Sequence, residues 1–276
     1  MENLIAKIVG LGEGGARVIS NMISAGVGKD KAVSFVAIGN DENILLSSTS
    51  RENIFLNRDS TTIYKRISSA LRGAKLIIMV TGGGSGAAMK SIPLIISCAK
   101  NINAATVAFV NRPSVFEGVE RKRTSEFCLN VLSNDADTVF DVPTEKFFLF
   151  RLHQPQISLA ELFEVANDVF SHGADIFMDM IAGGNAPVKW GKAAFGYGYG
   201  VTALDAVKAA AKFPLIEQAE LRRAARVSVH LTRGKDTAAK NFLKKILRPD
   251  AELIWHTDNR AGDRILASIV FSREAT

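Results

Sequence analysis

The sequence predicts an α/β fold: a parallel, doubly wound sheet, then a long central helix, then a smaller α+β C-terminal domain. Three observations carry this. Short apolar runs at Leu4 to Val9, Val33 to Ile38, Leu76 to Val80, Ala105 to Val110 and Thr138 to Val142 alternate with helical patterns. Runs so short and so apolar suit strands buried on both faces. Glycine-rich or polar turns close these runs. Finally, an apolar stripe from Ser158 to Ile181 reads as one long helix, with Ser158 and Glu161 as a capping box. The domain boundaries predicted are 1–156, 157–182 for the connecting helix, and 183–276.

Taken in order, the first strand leads into Gly10-Leu11-Gly12-Glu13-Gly14-Gly15, and a helix is predicted over Ala16 to Ala25. Gly10, Gly12 and Gly15 make a G-x-G-x-x-G, which suits a Rossmann-like dinucleotide turn or any nucleotide site on a first βα turn. Gly39-Asn40-Asp41 ends the second strand. An acid there suits a ribose hydroxyl, so an NAD-type ligand stays open at this point. Ile54 to Leu56 reads as a brief strand, Asn57 to Ser60 as a polar loop, and Thr61 to Leu71 as a helix.

The most informative stretch is Val80-Thr81-Gly82-Gly83-Gly84-Ser85-Gly86-Ala87. It joins a buried strand to a helix carrying Met89, Ile92, Ile95 and Ile96. Glycines let backbone N–H groups approach a phosphate, and a helix N-terminus favours negative charge. A plain βα turn is the simpler alternative, but it needs only one or two glycines. The strand from Ala105 to Val110 ends in Asn111 to Gly118, before a helix with Phe127, Cys128, Val131 and Leu132. Thr138 to Val142 ends in Pro143-Thr144-Glu145.

Beyond the long helix, Gly196, Gly198 and Gly200 alternate with Tyr197 and Tyr199 in a segment whose backbone is closely approached. Leu204 to Phe213 and Thr237 to Leu247 read as helices. Ala225 to Leu231, Leu253 to Thr257 and Arg264 to Phe271 read as strands.

Composition narrows the class. The chain is 47% hydrophobic and 22% charged, as in ordinary globular proteins. No uncharged apolar run reaches the roughly 18 residues of a membrane span. The N-terminus has no signal-peptide pattern, and Cys98 and Cys128 lie in apolar patterns, so a cytoplasmic location is expected. The histidines have no metal-ligand spacing, and no metal site is expected. Net charge is +6, but Lys212 to Arg248 holds ten Lys/Arg against three Asp/Glu, a local +7. That stretch reads either as a solvated helix face or as a surface for an acidic protein or anionic lipid; nucleic acid is not expected.

Several motifs resemble those of the FtsZ/tubulin family, over nearly the whole chain. Gly10 to Gly15 is similar to its first phosphate loop. Thr81 to Ala87 resembles the signature G-G-G-T-G-[ST]-G, one residue short. Arg112-Pro113-Ser114-Val115-Phe116-Glu117-Gly118 with Arg121 resembles K-P-F-x-F-E-G-x-x-R. Ala166-Asn167-Asp168 resembles A-N-D, and Pro214 to Ile216 and Thr232 to Gly234 resemble markers of the second domain. The resemblance implies GTP or GDP, with or without Mg²⁺, in a Rossmann-like GTP-binding domain. It implies phosphates at Gly12, Gly14 and Gly15 and at Gly83, Gly84, Ser85 and Gly86; Glu13 and Gly82 are counted with these nucleotide-binding candidates, and so is Arg17, a departure from the family that either neutralises phosphate charge in place of Mg²⁺ or helps to fill the site. It also implies ribose at Glu117, phosphates or base at Arg121, and guanine at Asn167. It further implies self-association, or association with another FtsZ-like subunit.

The departures bear on hydrolysis. The family carries acids after its long helix into a neighbouring subunit's site, to orient water at the γ-phosphate. Here no Asp or Glu occurs between Asp179 and Asp205, and the loop reads Asn185-Ala186-Pro187-Val188-Lys189-Trp190. Asn57 to Ser60 stands where the family has a glycine-rich γ-phosphate sensor. Arg17 replaces an Asn, Gly39-Asn40-Asp41 replaces N-T-D, and Thr144-Glu145 replaces N-D. With its last residue at Thr276, the sequence is expected to lack the family's linker and tail peptide. The expectation is a divergent FtsZ-like regulator or scaffold of cell division or the cytoskeleton, with weak or no GTPase and no catalytic residue assigned. The alternatives are an active GTPase filament using Asp175 and Asp179, and a nucleotide-free scaffold.

Overall fold

The structure, a computed structural model, describes residues 6–28, 33–43, 50, 52–57, 59–143, 145–146, 169–174, 177–178, 189–257 and 263–273. Its contacts divide the chain into two units, Met1–Lys189 and Trp190–Thr276.

The strands of the first unit are β1 (Ala6–Leu11), β2 (Val33–Gly39), β3 (Glu52–Phe55), β4 (Leu76–Gly82), β5 (Ala105–Arg112) and β6 (Thr138–Pro143). They lie in the order β3-β2-β1-β4-β5-β6, and every pairing is parallel. This is the order of a doubly wound nucleotide-binding sheet, in which the chain reverses direction between β1 and β4. The carboxyl ends of all six strands therefore share one edge.

Helices α1 (Gly12–Ser24), α2 (Ser60–Ala70), α3 (Gly86–Asn101) and α4 (Val119–Asp135) cover the sheet. Ile77 and Met79 of β4 pack into one cluster with Ile63 and Ile67 of α2, Ile92 and Ile95 of α3, and Cys128 and Leu132 of α4. On the opposite face Phe109 and Phe140 stack at 4.7 Å. Phe170 meets Phe109 edge-on at 5.9 Å, and Phe177 meets Phe140 at 5.2 Å. Residues 169–174 and 177–178 are helical; the rest of the predicted Ser158 to Ile181 helix lies outside the described residues.

Three local expectations change. The first helix begins at Gly12, not Ala16, although glycine costs about 1 kcal/mol per helical position relative to alanine. Packing overrides that propensity: a Cβ added at Gly15 would stand 2.5 Å from the Val80 carbonyl oxygen, so the helix start lies directly on β4. Met89 and Phe127 were expected on apolar faces, yet they are 39% and 46% exposed. On α4 the inward stripe is instead Ser125, Cys128 and Leu132. In the predicted polar loop, Asp59 caps α2 by accepting from the Thr62 N–H at 2.9 Å.

The second unit has strands β7 (Gly191–Gly200), β8 (Arg226–Leu231), β9 (Glu252–Thr257) and β10 (Ile265–Ser272). β10 runs antiparallel to both β7 and β8, and β9 is parallel to β8. Helices α5 (Ala203–Ala211), α6 (Gln218–Arg223) and α7 (Thr237–Ile246) complete it. The glycines of β7 face α5, where a Cβ at Gly198 would lie 2.4 Å from the Ala210 nitrogen and one at Gly200 2.3 Å from the Ala206 nitrogen. Ala203, Ala206 and Ala210 are buried in the resulting core.

Candidate functional site

Two glycine-rich turns meet at the reversal point of the first sheet. β1 and β4 are neighbours with Leu11 level with Thr81, so the turns that follow them lie side by side. Thr81 is buried, and its hydroxyl donates to the Gly82 carbonyl at 3.0 Å and lies 3.4 Å from the Leu11 carbonyl. One helix starts from each turn, α1 after Leu11 and α3 after Ser85, and neither start has a side-chain cap. The first N–H groups of a helix have no intrahelical partner. Two uncapped helix starts thus present unpaired donors and positive dipole ends to one place, which favours an anion.

The glycines divide by what fills the space beside them. Gly12 has φ of +70°, and a Cβ there would meet Ser85 Oγ at 2.2 Å. A Cβ at Gly83 would meet Ser125 Oγ at 2.3 Å, and one at Gly84 would meet the Arg121 Cβ at 2.8 Å. These three glycines make room for the protein's own side chains. At Gly82 and Gly86 an added Cβ would meet nothing within 4 Å, and at Gly14 its nearest neighbour is the Gly82 nitrogen at 3.9 Å. Gly14, Gly82 and Gly86 are where bare backbone faces open space.

The β5–α4 connection forms the next wall. Ser114 and Glu117 make a capping box around the short 3₁₀ turn Val115–Glu117. One Glu117 carboxylate oxygen accepts from the Ser114 N–H at 2.9 Å, and the other accepts from Arg121 at 2.8 Å. Each oxygen has a further lone pair, so both remain able to accept from a hydroxyl. Glu145, after β6, accepts from the Val115 N–H at 3.0 Å and pins this loop from the other side. Arg112 grips Asp141 through two guanidinium nitrogens, and those hydrogen bonds push its already high pKa upward. The loop presents Val115, Phe116 and Val119 at 72%, 90% and 64% exposure.

Arg17 and Glu13 form an exposed ion pair of 2.8 Å on the first turns of α1. Asp41 closes the end of β2 by accepting from the Asn43 N–H at 2.9 Å. Burial raises the thiol pKa of Cys98, and pushes that of Cys128 to about 11, so both stay protonated packing groups. Among the described residues no cluster of His, Cys, Asp or Glu could hold a metal ion, and no helix is long and apolar enough to cross a membrane.

The structure therefore gathers Gly12, Glu13, Gly14, Gly15 and Arg17, Gly82 to Gly86, Glu117 and Arg121 around one sheet edge. Asn167, Asp175, Asp179 and residues 182–188 of the acid-free loop lie outside the described residues, whereas Lys189 pairs with Asp137 at 3.5 Å. Sequence reasoning missed Ser125. It is fully buried, and its hydroxyl has no hydrogen-bond partner among the described residues. The available signal was a lone polar residue three before Cys128 and seven before Leu132, on a stripe that is otherwise apolar.

No family model matches the chain. The cell division protein FtsZ of Azotobacter vinelandii is 26% identical to it, across 87% of this chain and 68% of the relative. Among solved structures, an empty FtsZ dimer from M. jannaschii superposes with a TM-score of 0.79 at 22% identity, covering 98% of this chain and 88% of that one. A CetZ from Methanosaeta thermophila gives 0.79 at 18% identity, covering 99% and 87%. CetZ2 from Haloferax volcanii, a GTPγS-bound protofilament, gives 0.75 at 15% identity, covering 97% and 92%. The chain is thus FtsZ/tubulin-like in fold, and its similarity to a cell division FtsZ supports kinship with that cytoskeletal family.

Proposed function

We propose that the chain binds a guanine nucleotide, GTP or GDP, at this edge and acts as a cytoskeletal or cell-division scaffold or regulator with weak or no hydrolysis of its own. The observation that carries this reading is the open backbone at Gly14, Gly82 and Gly86 between two uncapped helix starts. The phosphates lie against the starts of α1 and α3, at Gly12 to Gly15 and at Gly82, Gly84 and Gly86, while the Gly83 N–H is held by the Asn111 carbonyl and the Ser85 N–H by the Gly82 carbonyl. Glu117 accepts from the ribose hydroxyls while keeping Ser114 and Arg121, and Asn167 reads the guanine edge with its donor and acceptor. Arg17 turns from Glu13 towards the phosphates and supplies positive charge where the described residues offer no carboxylate cluster for Mg²⁺.

Weak hydrolysis follows from the run between Asp179 and Asp205, which holds no acid to orient a water. Assembly with a second copy, or with another FtsZ-like subunit, follows from Val115, Phe116 and Val119, apolar groups exposed beside the candidate site. Titration calorimetry with GTP and GDP, followed by a phosphate-release assay, tests the reading. The expected result is binding of at least one nucleotide with little phosphate released. Binding of neither leaves a nucleotide-free scaffold, and turnover that Asp175→Asn with Asp179→Asn abolishes establishes an active GTPase instead.

A further inference from the structure

The second unit gathers cations at one end. β7 and β8 run in the same direction, since β10 is antiparallel to each. α5 follows β7 and α7 follows β8, so both helices run back and finish at the level where β8 and β9 begin. The ends are tied together. The Gln218 side chain of α6 donates to the Ala211 carbonyl of α5 at 2.5 Å. The Arg248 N–H, just past α7, donates to the Arg222 carbonyl of α6 at 3.1 Å. The C-terminus of α5 is thus tied to the start of the short helix α6, and the end of α6 to the end of α7; this linked stretch bears Lys212, Arg222, Arg223, Lys244 and Lys245, all exposed.

Besides Glu217, exposed at the start of α6, the acids at that end are held by other cations. Asp250 holds Arg248 at 2.6 Å, Glu252 holds Arg226 at 2.8 Å, and Glu220 holds Arg273 at 3.2 Å. Among the described residues no carboxylate forms an ion pair with Lys212, Arg222, Arg223, Lys244 or Lys245. Cations in a last helical turn complement the helix dipole, but that accounts for each helix separately and not for their convergence on one surface.

The partner's chemistry follows from what the surface lacks. Protein interfaces enclose an apolar core within a polar rim. Among the described residues, the large apolar side chains exposed in this unit are Tyr199 and Val201, at the opposite end, where β7 turns into α5. A cationic surface without an apolar anchor suits electrostatic adsorption to an anionic bilayer, where each Lys or Arg contributes separately within about a Debye length. We propose that this end of the second unit, formed by Lys212, Arg222, Arg223, Lys244 and Lys245, is a docking surface for anionic lipid headgroups.

Co-sedimentation of the full chain, without nucleotide, with vesicles of phosphatidylserine and phosphatidylcholine tests this, against phosphatidylcholine alone. Binding is expected on the anionic vesicles only. It should fall at least about tenfold between 0.1 M and 1 M salt, as the Debye length shrinks from about 10 Å to about 3 Å. The triple variant Arg222→Gln, Lys244→Gln, Lys245→Gln should lose binding while circular dichroism is unchanged. Lys244→Arg with Lys245→Arg should retain it, which a purely structural role for these lysines would not require. Absent or salt-insensitive binding to anionic vesicles, or full binding by the glutamine variant, overturns the proposal. Binding to polyglutamate or to duplex DNA with none to anionic vesicles overturns it in favour of that partner.

Discussion

Glycine clusters occur in both units and serve opposite ends. In β7 the space beside Gly198 and Gly200 is filled by α5 backbone, with Ala210 and Ala206 nitrogens where side chains would begin. At Gly82 and Gly86 the corresponding space is empty for 4 Å. The first arrangement brings a helix onto a sheet; the second leaves open space beside the backbone. Glycine content alone does not separate a packing seam from a ligand cradle, and both clusters are equally plain in the sequence. What separates them is the neighbour on the other side of the missing Cβ.

This contrast predicts opposite outcomes for similar substitutions. The largest effect belongs to the packed cluster. Gly198→Val drives three carbons into the α5 backbone, which cannot retreat as the end of a flexible side chain can. Overpacking of cores costs typically 1–3 kcal/mol, and a backbone clash lies at or above the top of that range. Gly198→Val is expected to lose about 3 kcal/mol or more in chemical denaturation, or not to fold. A near-native midpoint would mean that β7 and α5 are not in backbone contact at Gly198.

In the open cluster the signs reverse. Gly82 and Gly86 are not among the glycines with positive φ, so alanine fits both backbones. Replacing glycine by alanine at a compatible position stabilises by about 0.4–1 kcal/mol, chiefly by restricting the unfolded chain. Gly82→Ala and Gly86→Ala should therefore leave stability unchanged or slightly raised. In the nucleotide-bound state, however, a methyl group would occupy the phosphate's place, and affinity should fall about tenfold or more, some 1.4 kcal/mol. Calorimetry on the two variants, paired with their denaturation curves, reads both signs. Unchanged affinity would move the phosphates away from Gly82 and Gly86.

Much of the architecture was legible because parallel strands buried on both faces leave little choice of residue. Leu76 to Val80 and Ala105 to Val110 could hardly be anything else, and the turns after them had to share an edge once the strands were parallel. Less was legible where a residue's role depends on its partner in space. Gly12 to Gly15 read as loop by propensity, yet they open a helix because Gly15 can sit on Val80. Met89 and Phe127 match a helical period but point outwards, since the period gives a face and not what covers it. Glu117 was legible through the resemblance of its loop to the FtsZ/tubulin motif, but its hold on both Ser114 and Arg121 required the loop's geometry. Ser125 was overlooked because one hydroxyl on an apolar stripe carries no spacing to notice.

Ser125 also marks the boundary between the two kinds of glycine neighbourhood, and it gives the smallest predicted effect. Its hydroxyl lies against Gly83, inside the wall of the candidate site, where no polar atom among the described residues answers it. A buried hydroxyl without a partner costs about 1–3 kcal/mol relative to a satisfied one. Alanine removes the hydroxyl and leaves the rest of the α4 stripe in place. Ser125→Ala should therefore be neutral or more stable by up to about 1 kcal/mol in the absence of nucleotide, the reverse of the usual sign for a buried polar deletion. Gly83 bonds to Asn111 through its own N–H at 2.7 Å, so this substitution leaves the turn anchored and nucleotide affinity within about twofold, or roughly 0.4 kcal/mol. A clear loss of stability in Ser125→Ala would show that the hydroxyl is satisfied in solution, and that the wall beside Gly83 belongs with the open positions and not with the packed ones.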